Sequence, residues 1–440
     1  MSLELLAILL FLLILAVLFS GYPVAFTLGG VSILVGIALL GIGYLDLLAL
    51  RIYGTMQNIV LLSVPLFIFM GVILEKSGIA EDMLQTLTLM LGKLKGGLAL
   101  AVIVVGLLLA ASTGVVGATV VTMGLISLPA MLKRGYPATL STGVIASAGT
   151  LGQIIPPSVV LILLGSVINV PVGDMFMGAV IPGLLLTFAY MLYVLIFAYL
   201  KPQSAPAATD EELAEFRTEG QGSRIFSAFI LPFLLILTVL GSIFTGIATP
   251  TEAAGIGAFT AILMALLRRK LSFKMLQETA RTTTFLTSMV FMILVGASAF
   301  SLTFRELKGD DMIVNAVTQS GLSAPMFVLV AMLGIFIAGF FIDFIEIIFI
   351  FVPILTPIFA AYGLDLLWVG ILITMNLQTS FLTPPFGFSL FYLKGVAPPS
   401  VKTSDLYKGI IPFLLIQIAL LAIVYFYPQI ATWLPNYLNS

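Results

Sequence analysis

The sequence predicts an all-α polytopic membrane protein built as two inverted-topology repeats, each with five crossings and one re-entrant helical hairpin. Three features point there. The composition is too apolar for any soluble fold, spanning-length apolar runs recur along the chain, and a set of Pro and Gly positions repeats at an offset of 228 residues. Of 440 residues, 60% are hydrophobic and only 9% charged, and the mean hydropathy is +1.21. One aqueous core cannot hide that much apolar surface, whereas a bilayer accepts it on the outside of the protein.

The composition also excludes whole classes of chemistry. His and Cys are both absent, which removes His-dependent triads, thiol nucleophiles, disulfides and His/Cys metal sites. A net charge of −1 carries no basic surface for nucleic acid, and no GxxxxGK[ST] phosphate loop is present. A membrane role that is not enzymatic and needs no organic cofactor is what remains.

Crossings in the first half are predicted at about 3–19, 23–42, 59–75, 137–168 and 173–200. In the second half they fall at about 226–245, 250–268, 283–303, 365–396 and 404–427. Two further apolar stretches, about 97–134 and 324–362, are interrupted in the middle, the first at Ser112-Thr113-Gly114 and the second at Gly339 to Asp343. Each arm is close to the minimum spanning length, so both read as hairpins whose tips stop inside the protein. Two amphipathic stretches, Tyr44–Gln57 and Leu271–Arg281, occupy equivalent places and read as interfacial arms.

Pro129, Gly135 and Pro156-Pro157 recur without a gap as Pro357, Gly363 and Pro384-Pro385, and Pro23 and Gly30 as Pro250 and Gly257 with a one-residue slip. The repeats are therefore drawn as residues 1–200 and 226–440, joined by a polar linker at 201–225. An odd number of crossings inserts the second repeat upside down. With the N-terminus outside, sixteen Lys and Arg residues fall on the inner side, and only Arg51, Arg305 and Lys308 fall outside. Both termini are then periplasmic and the linker cytoplasmic. The first helix lacks a basic leading segment, unlike a cleaved signal.

In an inverted-repeat carrier, sites form near the midplane from broken helices. The run Ala146 to Ser158 interrupts one apolar helix, and Met375 to Gly387 interrupts its counterpart. Paired prolines, Pro156-Pro157 and Pro384-Pro385, remove backbone donors and disfavour helix before them, leaving free carbonyls at membrane depth. Ser112, Thr113, Ser147, Thr150 and Gln153 cluster at the first break. Asn376, Gln378, Thr379, Ser380 and Thr383 do so at the second. Ser and Thr are also common in membrane helices, where they bond to backbone, so the argument rests on the set. No Lys or Arg lies in the interior of a predicted membrane segment, residues such as Arg268 and Lys394 falling at segment ends. An anionic substrate would then be held by helix N-termini, hydroxyls and amides, with a cation such as sodium balancing its charge. Three acids lie in or beside apolar sequence. Glu252, after Thr249-Pro250, reads as a helix cap. Asp343 and Glu346, three apart, could either bind a cation or cap the second hairpin arm.

At these residues the sequence resembles the large membrane subunit of tripartite ATP-independent periplasmic (TRAP) transporters. The likeness is carried by Gly135-Tyr136 to Pro156-Pro157-Ser158, by the tip Gly339 to Asp343, and by Asn376-Leu377 followed by Thr383-Pro384-Pro385-Phe386-Gly387. It extends through essentially the whole chain. Ser112 to Thr119 and Leu377 to Leu382 resemble the branch labelled for mannitol, chloroaromatic compounds and 2-oxo acids.

The resemblance implies a sodium-driven elevator in the bacterial inner membrane that imports an organic anion, usually a carboxylate. It implies as partners a small four-helix membrane subunit and a periplasmic substrate-binding protein. It places sodium at Ser112, Gly114, Gly149, Gly152, Gly339, Asn376, Thr379 and Thr383. Thr113, Ser147, Thr150, Gln378 and Ser380 are left as candidates for the substrate. Many relatives carry Asp where this chain has Thr119 and Gly where it has Ser380. The rival expectation is a self-sufficient sodium- or proton-coupled dicarboxylate or oxyanion carrier that works without a binding protein.

Overall fold

A computed structural model describes residues 2–113, 116–209, 225–384 and 387–438. Among the described residues every regular element is helical, as the composition and periodicity require. Ser2 starts α1 (Leu3–Phe19) by accepting the Leu5 amide, and Pro23 precedes α2 (Val24–Leu40). The amphipathic α3 (Tyr44–Met56) is separated by a 3-10 turn at Ile59–Leu62 from α4 (Ser63–Lys76). After α5 (Ile79–Met90) come α6 (Gly97–Thr113) and α7 (Val116–Lys133), which pack on each other. Next, α8 (Ala138–Thr150) runs into a 3-10 turn at Leu151–Gln153, and helix resumes only at α9 (Val159–Ile168). α10 (Val172–Leu200) closes this half.

The second half opens with α11 (Leu231–Phe244) and α12 (Pro250–Leu267). Glu252 is the cap expected of it: the Thr249 hydroxyl accepts the Glu252 amide while the Glu252 carboxylate accepts the Thr249 amide at 2.8 Å. α13 (Phe273–Glu306) is capped by Ser272. It absorbs both the arm expected at Leu271–Arg281 and the crossing expected at 283–303 into one 34-residue helix. Nothing between Phe273 and Glu306 breaks it, since the segment contains no Pro and a single Gly. The remaining helices are α14 (Gly309–Gln319), α15 (Ala324–Ala338), α16 (Phe344–Ala361), α17 (Leu366–Leu382), α18 (Phe388–Val396), α19 (Thr403–Phe426) and α20 (Gln429–Leu438). Among the described residues seven helical stretches, including the segments Ile59–Lys76, Phe273–Glu306 and Thr403–Phe426, are long and apolar enough to cross a membrane.

The packing is reciprocal. α2 lies along α13 and α12 along α4; α7 packs on α18 and α16 on α9; α6 packs on α8 and α15 on α17. The two broken helices occupy the middle. Every residue of α8 from Leu140 onward is buried, as is every residue of α17 from Trp368 onward. Small residues let backbones meet there. A methyl group on Gly143 of α8 would come within 2.8 Å of the Gly409 carbonyl carbon of α19.

Candidate functional site

The first break is a buried backbone excursion. Residues Leu151 to Ser158 are all buried, and the Pro156-Pro157 bond is cis. The Ser158 hydroxyl donates to the Gln153 carbonyl at 2.8 Å, across the excursion. Gln153 is fully buried, and neither its amide nitrogen nor its amide oxygen meets a protein partner. An unpaired amide in such a place costs roughly 1–3 kcal/mol, so a ligand, ion or water is expected to complete it.

Gln378 lies against this break from the other half. Its side-chain nitrogen donates to the Thr150 hydroxyl at 3.4 Å, while its side-chain oxygen is buried without a protein partner. Of the predicted polar residues, Asn376 ties α17 to the first arm of the second hairpin, donating to the Met332 carbonyl at 2.7 Å. The hydroxyls behave differently. Ser147, Thr150, Thr379, Ser380 and Thr383 each donate to a carbonyl in their own chain segment, at 2.7–3.1 Å. That engages each proton with backbone, as the ordinary role of Ser and Thr in membrane helices requires, yet leaves oxygen lone pairs able to face a cation.

The hairpins reach both breaks through small residues. A methyl group on Gly152 would meet the Ala110 carbonyl oxygen at 2.6 Å, and one on Gly149 would run into Val120. On the other side a methyl group on Gly339 would lie 2.7 Å from the Ser380 Cβ. Ser112 and Thr113 end α6; the position of Gly114 and that of Pro385 lie outside the described residues, and Pro384 is half-buried at the second break. Asp343 and Glu346 form a capping box on α16. Asp343 accepts the Phe344 amide at 2.6 Å, and Glu346 accepts the Asp343 amide at 3.2 Å. Of the two roles left open for these acids, capping is the one the geometry displays.

Sequence reasoning missed a second layer of support. Gln417 in α19 is fully buried, donating to the Met375 carbonyl at 3.4 Å and accepting from the Tyr190 hydroxyl at 3.0 Å. An amide in the middle of the apolar run 404–427 was the available signal. Tyr392 of α18, missed as well, has its ring 3.1 Å from where a methyl group on Gly117 would stand, so it links the first hairpin to the second break.

Nothing in this arrangement supplies a nucleophile with its base. Buried amide oxygens and outward lone pairs are hard oxygen donors, the kind an alkali cation binds. Such a donor set could hold a hard cation.

Residues 11–430 match the family described as tripartite ATP-independent periplasmic transporter, DctM component. The chain is 32% identical over 397 residues to the C4-dicarboxylate TRAP transporter large permease protein DctM of Pseudomonas aeruginosa, covering 89% of this chain and 90% of that protein. It is 31% identical over 424 residues to the isethionate TRAP transporter permease protein DctMQ of Oleidesulfovibrio alaskensis, covering 93% of this chain and 65% of that one. Its fold is similar to that of the Alcanivorax borkumensis YdaH transporter, with a TM-score of 0.63, 14% identity, and coverage of 90% and 89%. With a site of buried amides inside a multi-pass helical fold and a match through almost its whole length, this chain belongs to the DctM family of TRAP transporter large permeases.

Proposed function

We propose that this chain is the membrane unit that imports an organic carboxylate by sodium symport, moving a central body of broken helices and hairpins against a surrounding frame. The observation that carries the reading is the meeting of Thr150 and Gln378. They are 228 positions apart, which is the offset that relates Pro156-Pro157 to Pro384-Pro385. Residues that touch their own counterparts lie on the axis relating two repeats. Orphaned amides at that axis are what a midplane site of an inverted-repeat carrier needs. The reciprocal packing of helices supports the same symmetry.

The basic residues favour periplasmic termini and a cytoplasmic linker at 201–225. Sodium gives the import its energy. Each net charge moved inward gains about 2.3 kcal/mol per 100 mV, so two uncompensated ions support accumulation on the order of a thousandfold. A periplasmic binding protein delivers the anion, and a small four-helix subunit completes the frame. The DctMQ relative is longer than this chain by about a third of its own length, which accords with a second membrane unit. Its isethionate label and the dicarboxylate label of the Pseudomonas relative both name small organic anions.

The test is uptake into proteoliposomes carrying the chain and both partners, under imposed sodium or proton gradients. Uptake that persists without sodium overturns the coupling. Uptake without the binding protein makes the chain a self-sufficient carrier instead.

A further inference from the structure

Away from the helix breaks themselves, a cavity of about 550 Å³ opens between α3 and α13 on one side and α9 and α16 on the other. Its polar lining is unusual for this chain. Only three basic residues fall on the outer side of the membrane, and two of them, Arg51 and Arg305, line this one cavity. Packing of α3 on α13, with the Tyr44 hydroxyl bonded to Thr303, holds these scarce cations together against their mutual repulsion.

Neither guanidinium is saturated. Arg51 donates to the Ser301 hydroxyl at 3.4 Å, and Arg305 pairs through its Nε with Asp310 at 3.4 Å. The Arg305 side chain remains 57% exposed, open to the cavity. Burial, and after it the charge of Arg305, depresses the Arg51 guanidinium below its ordinary range, while Asp310 partly offsets this. Two cations held near each other with unused donors are short of negative charge. A planar fork of N–H donors matches a carboxylate in both shape and charge. Hydroxyls of Thr55 and Ser298 in the same wall, and of Thr356 in the opposite one, supply contacts for polar substituents.

We infer that Arg51 and Arg305 form a carboxylate-binding vestibule on the outer face, separate from the broken-helix site, where the anion is first held. The assignment of faces rests on the reading of the chain as an importer; the binding chemistry does not. The vestibule faces α16, the second arm of the second hairpin, so an anion seated there touches both the frame helices and the element leading to the Gly339 tip. Asp310 is the internal competitor, occupying Arg305 until a carboxylate arrives.

The experiment is thermal unfolding of the detergent-purified full chain at constant ionic strength, titrated with propionate, succinate or inorganic phosphate against chloride. Both carboxylates are expected to raise the midpoint more than phosphate or chloride does. Arg51→Gln and Arg305→Gln should each weaken carboxylate binding about tenfold, and Arg51→Lys should recover only part of it. Asp310→Asn frees Arg305 and should tighten binding about threefold. That gain keeps the proposal exposed to refutation even where the arginine variants unfold. Stabilisation by phosphate rather than carboxylate assigns the pair to lipid headgroups and overturns the vestibule. So does carboxylate affinity unchanged in Arg305→Gln, or unchanged or weakened in Asp310→Asn. Gln153→Leu should abolish uptake while the part of carboxylate binding that depends on Arg305 persists, so the vestibule and the transport reading fail separately.

Discussion

The Gln378 side chain donates to the Thr150 hydroxyl at 3.4 Å across 228 positions of sequence. That spacing equals the offset at which the Pro156-Pro157 pair recurs as Pro384-Pro385. The bond joins the two halves directly at the first helix break. Thr150 relays the contact, since its own proton goes to the Ser147 carbonyl at 2.9 Å.

Replacing these hydroxyls tests the ion site. Thr150→Val leaves the Gln378 nitrogen unpaired, and Thr379→Val removes an oxygen one turn above Met375. Each is expected to raise the sodium concentration for half-maximal uptake by roughly three- to tenfold, the equivalent of one lost hydrogen bond. A sodium titration matching the unsubstituted protein in both variants removes these positions from the site.

The approach of the second hairpin to the broken helix can be tested by exchange of volume. Gly339→Ala should lower stability by about 1–3 kcal/mol, because the new methyl group meets Ser380. Ser380→Gly in the same chain should restore most of the loss. Thermal unfolding in detergent reads the cycle, and additive losses in the double variant would show that the two positions do not touch.

The acids at the tip of α16 act as caps, which predicts a specific order among variants. Asp343→Asn should unfold near the parent temperature, since Asn caps as well as Asp, whereas Asp343→Ala should lose about 1 kcal/mol. Sodium dependence should be the same in Asp343→Asn as in the parent. Loss of sodium response at full stability would instead make the carboxylate an ion ligand.

Beneath the site, Tyr190→Phe leaves the Gln417 oxygen buried and unpaired and should cost about 1–3 kcal/mol. Adding Gln417→Leu removes the orphan and should recover much of that stability. Unfolding temperatures of the single and double variants decide it, with no recovery counting against the Tyr190 to Gln417 bond.

Much of the fold could be read from composition and from a few punctuating residues. Thr249-Pro250-Thr251-Glu252 announces a helix start, and Pro156-Pro157 announces a break, because each acts locally through backbone geometry. The helices α5, α14 and α20 were harder to see. They are short and only part-apolar, so their pattern resembles loops between crossings. The single helix through Phe273–Glu306 was divided in expectation because its polar first turns look interfacial, yet no residue there breaks helix. At the site, the polar cluster was visible, but not which atoms are free. Whether Thr379 spends its proton on Met375, or Gln153 finds no partner, depends on side-chain directions set by neighbours distant in sequence. The gathering of Arg51 and Arg305 was hidden for the same reason, since they come from different halves.

The long helix α13 also has a mechanical meaning. At 1.5 Å per residue its 34 residues make a rod of about 51 Å, against about 30 Å of hydrocarbon. Lys274, Glu278 and Arg281 mark one end, Arg305 and Glu306 the other. In the first half, by contrast, a 3-10 turn at Ile59–Leu62 separates α3 from α4. The apolar part of α13, about 283–303, matches the hydrocarbon, and its charged ends reach the headgroups on both sides. In shorter-chain lipid the rod tilts or the membrane thickens around it, and either response is passed to α2 and α16, which are packed along its length. A displacement of this rod would therefore reach both of those helices together.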